Sequence, residues 1–361
     1  MKILFLAAAN SIHSIRWVNS LAELGHEVHF VYLPNQNPDI DGIDKSVIQY
    51  KLKYGGNKGY YLNAPLLKKI FINVKPDVVN AHYASGYGTL ARVSRLRPLL
   101  LSVWGSDVYD FPEKNTITNR IVKSNIRYAD RIASTSYAMA NQVKKLMDND
   151  NLKIDITPFG VDLSNFENIT LKSNKPIIIG TIKTLAPKYG LSYLIKAIDF
   201  VRNKTEKHFK LEIYGKGPEK ESLQKLISDL SLNDIIELKG YIPNSQVPQV
   251  LNTFDIFCVT SIMNSESFGV AAVEAMAAKL PVVATDVDGF KEVVQDRVTG
   301  IIVEKGNINM IANAILELIE NSQLRCSYGQ AGYKRVTDLY DWDKNVKKME
   351  KIYLSMLDKG E

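Results

Sequence analysis

Short apolar runs alternate with segments of helical periodicity along the first half of the chain. The residues from Ile15 to Leu24 place apolar side chains three and four positions apart, which predicts an amphipathic helix, and Gly25 follows as a C-terminal cap. Strands that alternate with helices predict a parallel sheet whose ligands bind beyond the carboxyl ends of the strands. The predicted strands are Ile3 to Ala8, Val28 to Leu33, Val78 to Ala81, Leu99 to Val103 and Arg131 to Ser134.

A second alternating series follows the polar stretch from Leu163 to Pro176, which we interpret as a linker between two domains. The tail from Asp341 to Leu357 spaces its apolar residues as a helix does, but this periodicity does not say which domain the helix packs on. The predicted strands of the second series are Ile177 to Thr181, Lys210 to Tyr214, Ile235 to Leu238, Ile256 to Val259, Pro281 to Ala284 and Ile301 to Val303.

The length of the chain indicates two domains, and the distribution of its charge indicates a class of partner. The chain has 361 residues, of which 45% are hydrophobic, enough for two cores of ordinary size. Its formal net charge of +6 lies in the first half, because residues 1–172 hold 21 basic and 15 acidic side chains and the remainder is balanced. This excess favours an anionic acceptor or an anionic membrane surface, although it also fits ordinary scatter.

The spacing of the cysteines and the pattern of the amino-terminal segment both indicate in which cellular compartment the protein is expected. Cys258 and Cys326 lack the paired spacing of a zinc site or a disulfide framework, which fits a reducing cytoplasm. The segment from Met1 to Ala9 combines one lysine with a short apolar run, but it continues into a helix pattern, so we predict a buried first strand and not a signal peptide. No run reaches the roughly 20 apolar residues of a spanning helix, so we expect a cytoplasmic protein with, at most, peripheral membrane contact.

Two carboxylates, Glu266 and Glu274, lie eight positions apart around a Phe-Gly pair that follows an apolar run. A strand that ends in a polar loop and opens a helix from Val270 to Ala278 puts free backbone N–H groups at the helix start, where a diphosphate binds. Gly269 lets the backbone come close to such a ligand. Because carboxylates bind hydroxyls and not phosphates, the pair suggests a sugar nucleotide, with sugar hydroxyls at one glutamate and ribose hydroxyls at the other. The spacing alone also fits a capped surface helix with solvated acids.

The segment from Glu266 to Glu274 resembles the signature of the family 4 retaining glycosyltransferases. Four more segments resemble motifs of that family, in the family's order: Pro158 to Asp162, Gly180 to Gly190, Tyr214 to Pro218, and Gly240-Tyr241. The resemblance implies the GT-B fold, with two Rossmann-like, doubly wound parallel-sheet domains facing a cleft. Residues 1–165, completed by a helix at 341–361, would be the acceptor side, and residues 173–340 would be the nucleotide-sugar donor side.

The same resemblance implies a reaction. A sugar would move from a nucleoside diphosphate donor, UDP- or GDP-linked, to a hydroxyl acceptor, with retained anomeric configuration and with neither a metal nor another cofactor.

The loop from Gly180 to Gly190 follows a predicted strand and carries Lys183 and Lys188. Two lysines at the carboxyl end of a strand can converge on a diphosphate and stabilise it as it leaves, and the alternative is two solvated lysines. Where the family more often has an arginine this chain has Thr181, and whether Lys183 takes over that role stays open. We predict catalytic roles for Glu266, Lys188, Lys183 and His82, and donor contacts at Glu274, Ser267, Phe268, Gly269, Val270, Thr181, Gly215, Gly217 and Tyr241.

Two loops of the first domain, Asn80 to Gly88 and Leu101 to Asp107, each lie at the end of a predicted strand and are expected to face the cleft. Many relatives have a histidine where this chain has Trp104, which cannot accept a hydrogen bond. We hypothesise that Trp104 packs on the sugar or the acceptor and that His82 or Asp107 supplies the polar contact. The alternative for His82 is a loop histidine whose hydrogen bonds are satisfied.

The loop after the first strand is the other part of the predicted acceptor side. Asn10, Ser11 and His13 are predicted acceptor or sugar contacts, although N-capping of the next helix by Ser11 or Ser14 explains much of the same pattern.

Two short strings point to cofactors that we do not expect. Asp286 and Asp288 form the D-x-D string that holds a divalent metal in another glycosyltransferase fold. Here the string precedes Gly289 and Glu292, where the family has a glycine-rich turn and a glutamate, so we interpret it as a variant of that loop. The segment from Gly215 to Pro218 is too short for a dinucleotide fingerprint, which argues against an NAD-dependent enzyme.

Taken with the resemblance, these observations predict a hexosyl- or N-acetylhexosaminyltransferase of bacterial cell-surface polysaccharide or lipid-linked glycan synthesis. The expected partners are a glycan or lipid-linked acceptor and an anionic membrane surface, with no nucleic acid. Two alternatives are a sugar-nucleotide epimerase of the same fold, which would act on the donor alone, and a non-catalytic subunit that only binds the nucleotide sugar.

Overall fold

The computed structural model describes residues 1–38, 42–166 and 176–357. The chain divides into two compact α/β units, the first formed by Met1–Phe159 with Asp343–Glu361 and the second by Gly160–Trp342. The first boundary therefore falls a few residues before the predicted position at residue 165. Of the predicted linker, Leu163–Phe166 forms a 3₁₀ turn, and residues 167–175 lie outside the described ranges.

The first unit contains one parallel sheet covered by helices. Its central strands are buried at every position, because runs of valine and leucine fit a sheet that is packed on both faces. The strands are β1 (Lys2–Leu6), β2 (Glu27–Tyr32), β3 (Ile48–Lys51), β4 (Val78–His82), β5 (Leu99–Val103), β6 (Arg131–Ser134) and β7 (Asp155–Ile156), in the order β3-β2-β1-β4-β5-β6-β7.

The strand order of this sheet reverses between β1 and β4, and ligands bind beyond the carboxyl ends of strands at such a point. A five-residue π-helical turn, Tyr83–Tyr87, follows β4 directly. The helices of the unit are α1 (Ile12–Glu23), α2 (Gly56–Leu62), α3 (Ala64–Val74), α4 (Gly88–Val93), α5 (Asp110–Glu113), α6 (Thr116–Tyr128) and α7 (Tyr137–Met147).

The second unit repeats the architecture with six strands. They are β8 (Ile177–Ile182), β9 (Phe209–Tyr214), β10 (Ile236–Gly240), β11 (Ile256–Val259), β12 (Val282–Thr285) and β13 (Gly300–Val303), in the parallel order β10-β9-β8-β11-β12-β13. The order reverses between β8 and β11. The helices are α8 (Leu191–Arg202), α9 (Lys220–Asp229), α10 (Val247–Leu251), α11 (Val270–Ala277), α12 (Asp288–Val293), α13 (Ile308–Glu320) and α14 (Ser322–Leu339).

The last helix, α15 (Trp342–Leu357), packs on the first unit. The Tyr353 hydroxyl is fully buried and donates to Asn80 Oδ1 in β4 at 2.7 Å. Nearer the start of the helix, Glu350 lies 3.0 Å from the His26 imidazole. The helix therefore contributes to the core of the unit that contains the start of the chain.

The predicted strands all form within one or two residues of their expected limits, and two strands were not predicted. Strand β3 has largely exposed side chains, and β7 is only two residues long. Both lie at the edges of the first sheet, where one neighbour is missing and an apolar run is not required. In the described part of the chain, no helix is both long and apolar enough to cross a bilayer.

Candidate active site

The two predicted phosphate-binding lysines converge at the point where the second sheet reverses its order. Lys183 follows β8 directly, and Lys188 lies in a 3₁₀ turn, Pro187–Tyr189, that precedes α8. Their Nζ atoms lie 4.7 and 4.9 Å from the centre of the same ring, that of Tyr189. This tyrosine, which the sequence did not single out, contacts both ammonium groups. The result is a small cationic site suited to a diphosphate.

Glu266 meets Lys183 in this site. The Lys183 Nζ lies 2.7 Å from Glu266 Oε2, with 17% and 15% of the two side chains exposed. One predicted phosphate ligand and one predicted sugar ligand therefore form an ion pair with each other. An anionic ligand that approaches Lys183 competes with the carboxylate for the same ammonium group.

Two glycines hold the lysine loop against the next strand. A Cβ at Gly215 would overlap the carbonyl oxygen of Lys183, and one at Gly217 would overlap that of Leu185. The Leu185 N–H also donates to the Lys216 carbonyl at 3.1 Å. The predicted donor contacts Gly215 and Gly217 thus have a direct structural role, because no other residue allows this close backbone approach.

The start of α11 has a backbone conformation that requires glycine. Gly269 has φ of +90°, and a Cβ there would lie 2.7 Å from the ring of Phe290. Ser267 and Phe268 are buried, so they reach a ligand only through their backbone. A Cβ at Gly289 would overlap the backbone of Glu266 and come within 2.6 Å of the Phe268 nitrogen, so α12 supports this turn closely.

One side of α11 stays accessible. Val270 and Glu274 are partly exposed, four residues apart, whereas the following Ala275 and Met276 are buried. Because residues four apart share a helix face, Glu274 lies one turn above the helix start on the side that a ligand can reach.

Tyr241 lies in a separate pocket of about 250 Å³ beside the lysine loop. Its exposed ring lies under Lys216, whose Nζ is 4.4 Å from the ring centre. Lys183 and Gly215 also line this pocket, so the pocket adjoins the cationic site through Lys183. Thr181 lies elsewhere: it is 2% exposed within strand β8, so its side chain faces the protein interior.

The D-x-D string has local partners. Asp286 Oδ1 accepts from the Lys305 N–H at 2.9 Å, and Asp288 pairs with Lys291 at 2.9 Å. In the described ranges, no group of three or more His, Cys, Asp and Glu side chains is placed to hold a metal ion.

The carboxyl edge of the first sheet is aromatic. The ring of Trp104 lies edge-on to four others, with centroid distances of 4.6 Å to His82, 5.4 Å to Tyr83 and to Phe159, and 6.1 Å to His13. Trp104 is partly exposed, so its ring forms the accessible cover of this cluster.

The two histidines of this cluster are neutral at physiological pH. Burial lowers the pKa of His82 to about 3, and burial together with the charge of Arg16 lowers the pKa of His13 to about 4. His82 is fully buried, and its Nε2 lies 2.9 Å from Asn80 Oδ1, which also accepts from Tyr353. The side chain on which we predicted a catalytic role therefore lies behind Trp104, within the hydrogen-bond network of β4 and α15.

Asp107 has a backbone role. Its carboxylate accepts from the N–H groups of Ala84 at 2.7 Å, Gly105 at 2.9 Å and Trp104 at 3.1 Å. It is 1% exposed, and burial raises the pKa of its carboxyl group while these N–H groups act in the opposite direction. Asp107 thus links the turn after β4 to the turn after β5.

The first loop gives the remaining predicted residues. Asn10 is exposed, and Ser11 occupies the N-cap of α1 without a side-chain capping hydrogen bond. His13 stacks on Phe159 with ring centroids 4.3 Å apart, and its Nδ1 is buried without a partner among the described residues. N-capping by Ser11 therefore does not account for the pattern.

A cavity of about 500 Å³ opens at the carboxyl edge of the first sheet. Tyr83, with φ of +71°, begins the π-helical turn that forms one wall, and such turns are frequent at functional sites. The Tyr87 hydroxyl donates to Gln36 Oε1 at 2.5 Å, and the Tyr60 ring packs on Gly86. We call this space the tyrosine cavity; it is lined by residues that include Gln36, Tyr60, Tyr61, Tyr83, Ser85 and Tyr87.

Comparison with known proteins agrees with this architecture. The model of the family described as glycosyl transferases group 1 matches residues 164–335, and the model described as glycosyl transferase 4-like matches residues 2–136. An uncharacterised glycosyltransferase of Methanocaldococcus jannaschii is 29% identical over 304 residues, which are 83% of this chain and 81% of that protein. The N-acetyl-alpha-D-glucosaminyl L-malate synthase of Bacillus anthracis is 24% identical over 93% of this chain and 91% of the synthase.

A solved structure shows the same fold over nearly the whole chain. The crystal structure of Anabaena HepE in complex with UDP has a TM-score of 0.82, with 18% identity over 98% of this chain and 100% of that one. Two units with open parallel sheets, each with loops gathered where the strand order reverses, define the GT-B class. The chain belongs to the group 1 glycosyltransferases of this class, which confirms the resemblance found in the sequence.

Proposed function

We propose that the protein is a retaining glycosyltransferase that uses a nucleoside diphosphate-sugar, UDP- or GDP-linked, and needs no metal. The observation that carries this proposal is the cationic site at the point where the second sheet reverses its strand order. There Lys183 pairs with Glu266, and Lys183 and Lys188 both contact the Tyr189 ring. Two ammonium groups next to a helix start supply the positive charge that a leaving diphosphate requires. HepE, which shares the fold, was crystallised with UDP.

The roles of the residues follow from their chemistry. The diphosphate would draw Lys183 away from Glu266 and lie between Lys183, Lys188 and the N–H groups at the start of α11. The freed Glu266 carboxylate would then accept from sugar hydroxyls, and Glu274 from the ribose. The pocket beside Lys216 and Tyr241 is the proposed site of the base, since it adjoins the lysine loop.

Retention is proposed to follow a front-face displacement. The acceptor hydroxyl attacks the anomeric carbon on the face from which the diphosphate leaves, and a diphosphate oxygen takes the hydroxyl proton. In this scheme the lysines stabilise negative charge as it builds on the leaving group.

The tyrosine cavity is the proposed acceptor site. Its aromatic rings and its hydroxyl and amide groups match the apolar faces and hydroxyls of a sugar ring, and Lys114 adds one ammonium group to the lining. A glycan or a lipid-linked sugar of cell-surface polymer synthesis would fit this lining, and cytoplasmic action at the inner face of the membrane stays a prediction. Trp104 would contact the sugar being transferred. A donor panel assayed with Trp104→His should show an altered preference, and an unchanged preference would remove Trp104 from that role.

The first test is thermal stabilisation by UDP, GDP and their sugar conjugates in the presence of a chelator. A ligand at about 100 times its Kd adds about 2.7 kcal/mol to the free energy of unfolding. We expect one nucleotide series to raise the melting temperature and Glu274→Ala to reduce that rise. A folded sample that responds to none of them, or only with added metal, would contradict the proposal.

The product then separates the candidate reactions. Transfer to an acceptor with the anomeric configuration of the donor, measured by NMR, is the expected outcome. A product formed from the donor alone would indicate an epimerase, and the comparisons do not favour that alternative.

A further inference from the structure

The pocket beside the lysine loop, the proposed site of the base, has polar groups of one kind of charge. We call it the base pocket; its volume is about 250 Å³, and Ile182, Ile242 and Val247 form its apolar part. No aspartate or glutamate is among the described residues that line it, whereas two lysines are. The polar side chains of the lining are those of Lys183, Thr184, Tyr214, Lys216, Tyr241 and Asn244.

The Glu212 carboxylate lies outside this lining and has partners of its own. Its Oε2 accepts from the Tyr214 hydroxyl at 3.1 Å, and its Oε1 lies 3.9 Å from the Lys239 Nζ. Burial and the charge of Glu212 raise the pKa of Tyr214 to about 12, so this hydroxyl keeps its proton at physiological pH. The Glu212 carboxylate is thus already paired, and it does not supply the base pocket with an acceptor.

Two side chains of the lining have polar groups that the protein itself leaves available. In the described ranges Lys216 forms no ion pair, and its Nζ lies 4.4 Å from the centre of the exposed Tyr241 ring. Asn244 begins a 3₁₀ turn, Asn244–Gln246, and its side-chain amide makes no hydrogen bond to any residue that the structure describes. The base pocket therefore offers an ammonium group, which only donates, and an amide, which both donates and accepts.

Uracil and guanine differ in the polar groups that they present to such a pocket. Uracil has one ring N–H between two carbonyl oxygens, so it requires two donors and one acceptor. Guanine presents adjacent N–H and NH₂ donors beside one carbonyl, and a carboxylate is the side-chain group that best accepts from such a pair. An aromatic ring stacks on either base, so Tyr241 does not distinguish them. The amide of Asn244 and the ammonium group of Lys216 match uracil, and a lining without a carboxylate does not match guanine.

We propose that the base pocket selects uridine over guanosine, which makes the donor a UDP-sugar. Asn244 would accept from the uracil N3–H and donate to one neighbouring carbonyl, and Lys216 would donate to the other. The inference rests on the proposed function, because it requires the diphosphate to lie at Lys183, which belongs both to the base pocket and to the cationic site. Selection comes from the base alone, since UDP and GDP share the ribose and the diphosphate.

The ratio of two dissociation constants tests this selection. Calorimetric titration of the full chain with UDP and with GDP gives both constants, and the contributions of the shared ribose and diphosphate cancel in their ratio. We expect UDP to bind about tenfold more tightly than GDP, which is the effect of one hydrogen bond to a charged group.

Asn244→Asp should reverse the preference. The new carboxylate accepts from the adjacent donors of guanine and removes a donor from uracil, so GDP should bind at least as tightly as UDP. Gln246→Glu is the control, because it adds the same charge in the same exposed turn but outside the lining of the base pocket. Repulsion of the diphosphate is common to both nucleotides, so the control should keep the wild-type ratio.

Lys216→Met tests the second contact. It keeps an apolar stem beside the Tyr241 ring and removes the ammonium group, so the ratio should fall towards one. Its control, Lys225→Met, removes an exposed lysine of α9 and should keep the wild-type ratio. Thermal unfolding of each variant shows whether it is folded.

The possible failures are distinguishable. If GDP binds the wild type as tightly as UDP, the selection is wrong, and the proposed glycosyltransferase function still stands. If Asn244→Asp and Lys216→Met both keep the wild-type ratio, these two residues do not read the base. Binding of neither nucleotide by the folded protein would instead contradict the proposed function, and this inference with it.

Discussion

The two sheets have the same topology and opposite chemistry at their carboxyl edges. In the first unit, the loops at the reversal point present rings. The two histidines of this aromatic cluster, His82 and His13, have pKa values lowered to about 3 and about 4, so they stay uncharged. In the second unit, the equivalent loops present Lys183, Lys188 and Glu266. One architecture thus carries an aromatic edge and a lysine–glutamate edge, and the function belongs to the loops and not to the fold.

The difference matches what each unit is proposed to bind. A diphosphate needs fixed positive charge, because charge develops on it during transfer. A sugar acceptor needs rings and hydrogen-bonding groups, which the lining of the tyrosine cavity supplies. The comparison predicts that substitution of a charged residue in the second unit changes the rate of transfer. It also predicts that protonation of a buried histidine in the first unit changes the free energy of unfolding.

Removal of Lys188 should have the largest effect. Lys188→Ala should lower kcat by about 10²–10³, which corresponds to about 2.7–4 kcal/mol, because the leaving diphosphate loses one of its two cations. The measurement is single-turnover transfer with the donor identified by thermal stabilisation. Lys196→Ala, an exposed lysine on α8, is the control and should be near wild type. Equal rates for the two variants would show that the charged edge is not the chemical site.

A second prediction concerns the turn before α11. Gly269→Ala should lower the free energy of unfolding by about 1–3 kcal/mol more than Gly306→Ala does. Both glycines have positive φ, +90° and +76°, but only at Gly269 would a Cβ press on the Phe290 ring, at 2.7 Å. Urea unfolding of the two variants isolates that contact. Equal losses would mean that the backbone conformation alone determines the requirement for glycine.

The aromatic edge should make stability depend on pH. Because the pKa of His82 is lowered to about 3 in the folded state, the unfolded chain binds a proton below pH 6.5 and the folded chain does not. Stability should therefore fall as the pH drops from 6.5 towards 3, by up to about 1.4 kcal/mol per pH unit for this residue.

His82→Gln should flatten that dependence, whereas His208→Gln, at an exposed residue of the second unit, should not. Tryptophan fluorescence during urea unfolding at pH 7 and pH 5 measures the change, since Trp17 and Trp104 both lie in the first unit. An identical slope for wild type and His82→Gln would refute the link.

Sequence patterns predicted the charged edge better than the aromatic one. The strands follow from apolar runs, whereas the lysine loop and the Glu266 turn were identified from local order along the chain together with the resemblance to the family. The burial of His82 does not, because it depends on Trp104 and on Tyr353, which is 273 positions from its partner Asn80. The contact of Lys183 with Glu266 was equally hidden, since two residues 83 positions apart meet only when β8 and β11 pair.

The smallest predicted effect has an unusual direction. Glu266→Gln should bind the free nucleoside diphosphate more tightly, by about fivefold, while transfer slows. The reason is competition: a partly buried pair of this kind is worth up to about 1 kcal/mol, and its loss releases Lys183 for the diphosphate. Lys183→Met should bind more weakly, and in the Lys183→Met/Glu266→Gln variant the gain should vanish.

Calorimetric titration with UDP and GDP distinguishes this from a general charge effect. Glu237→Gln removes an exposed carboxylate of the same unit, which pairs with Lys239 at 3.1 Å, and it should leave the affinity unchanged. If Glu266→Gln weakens nucleotide binding as Lys183→Met does, the carboxylate supports the diphosphate site and does not compete for it. The charged edge would then be a preformed unit in which the lysine and the glutamate bind the donor together.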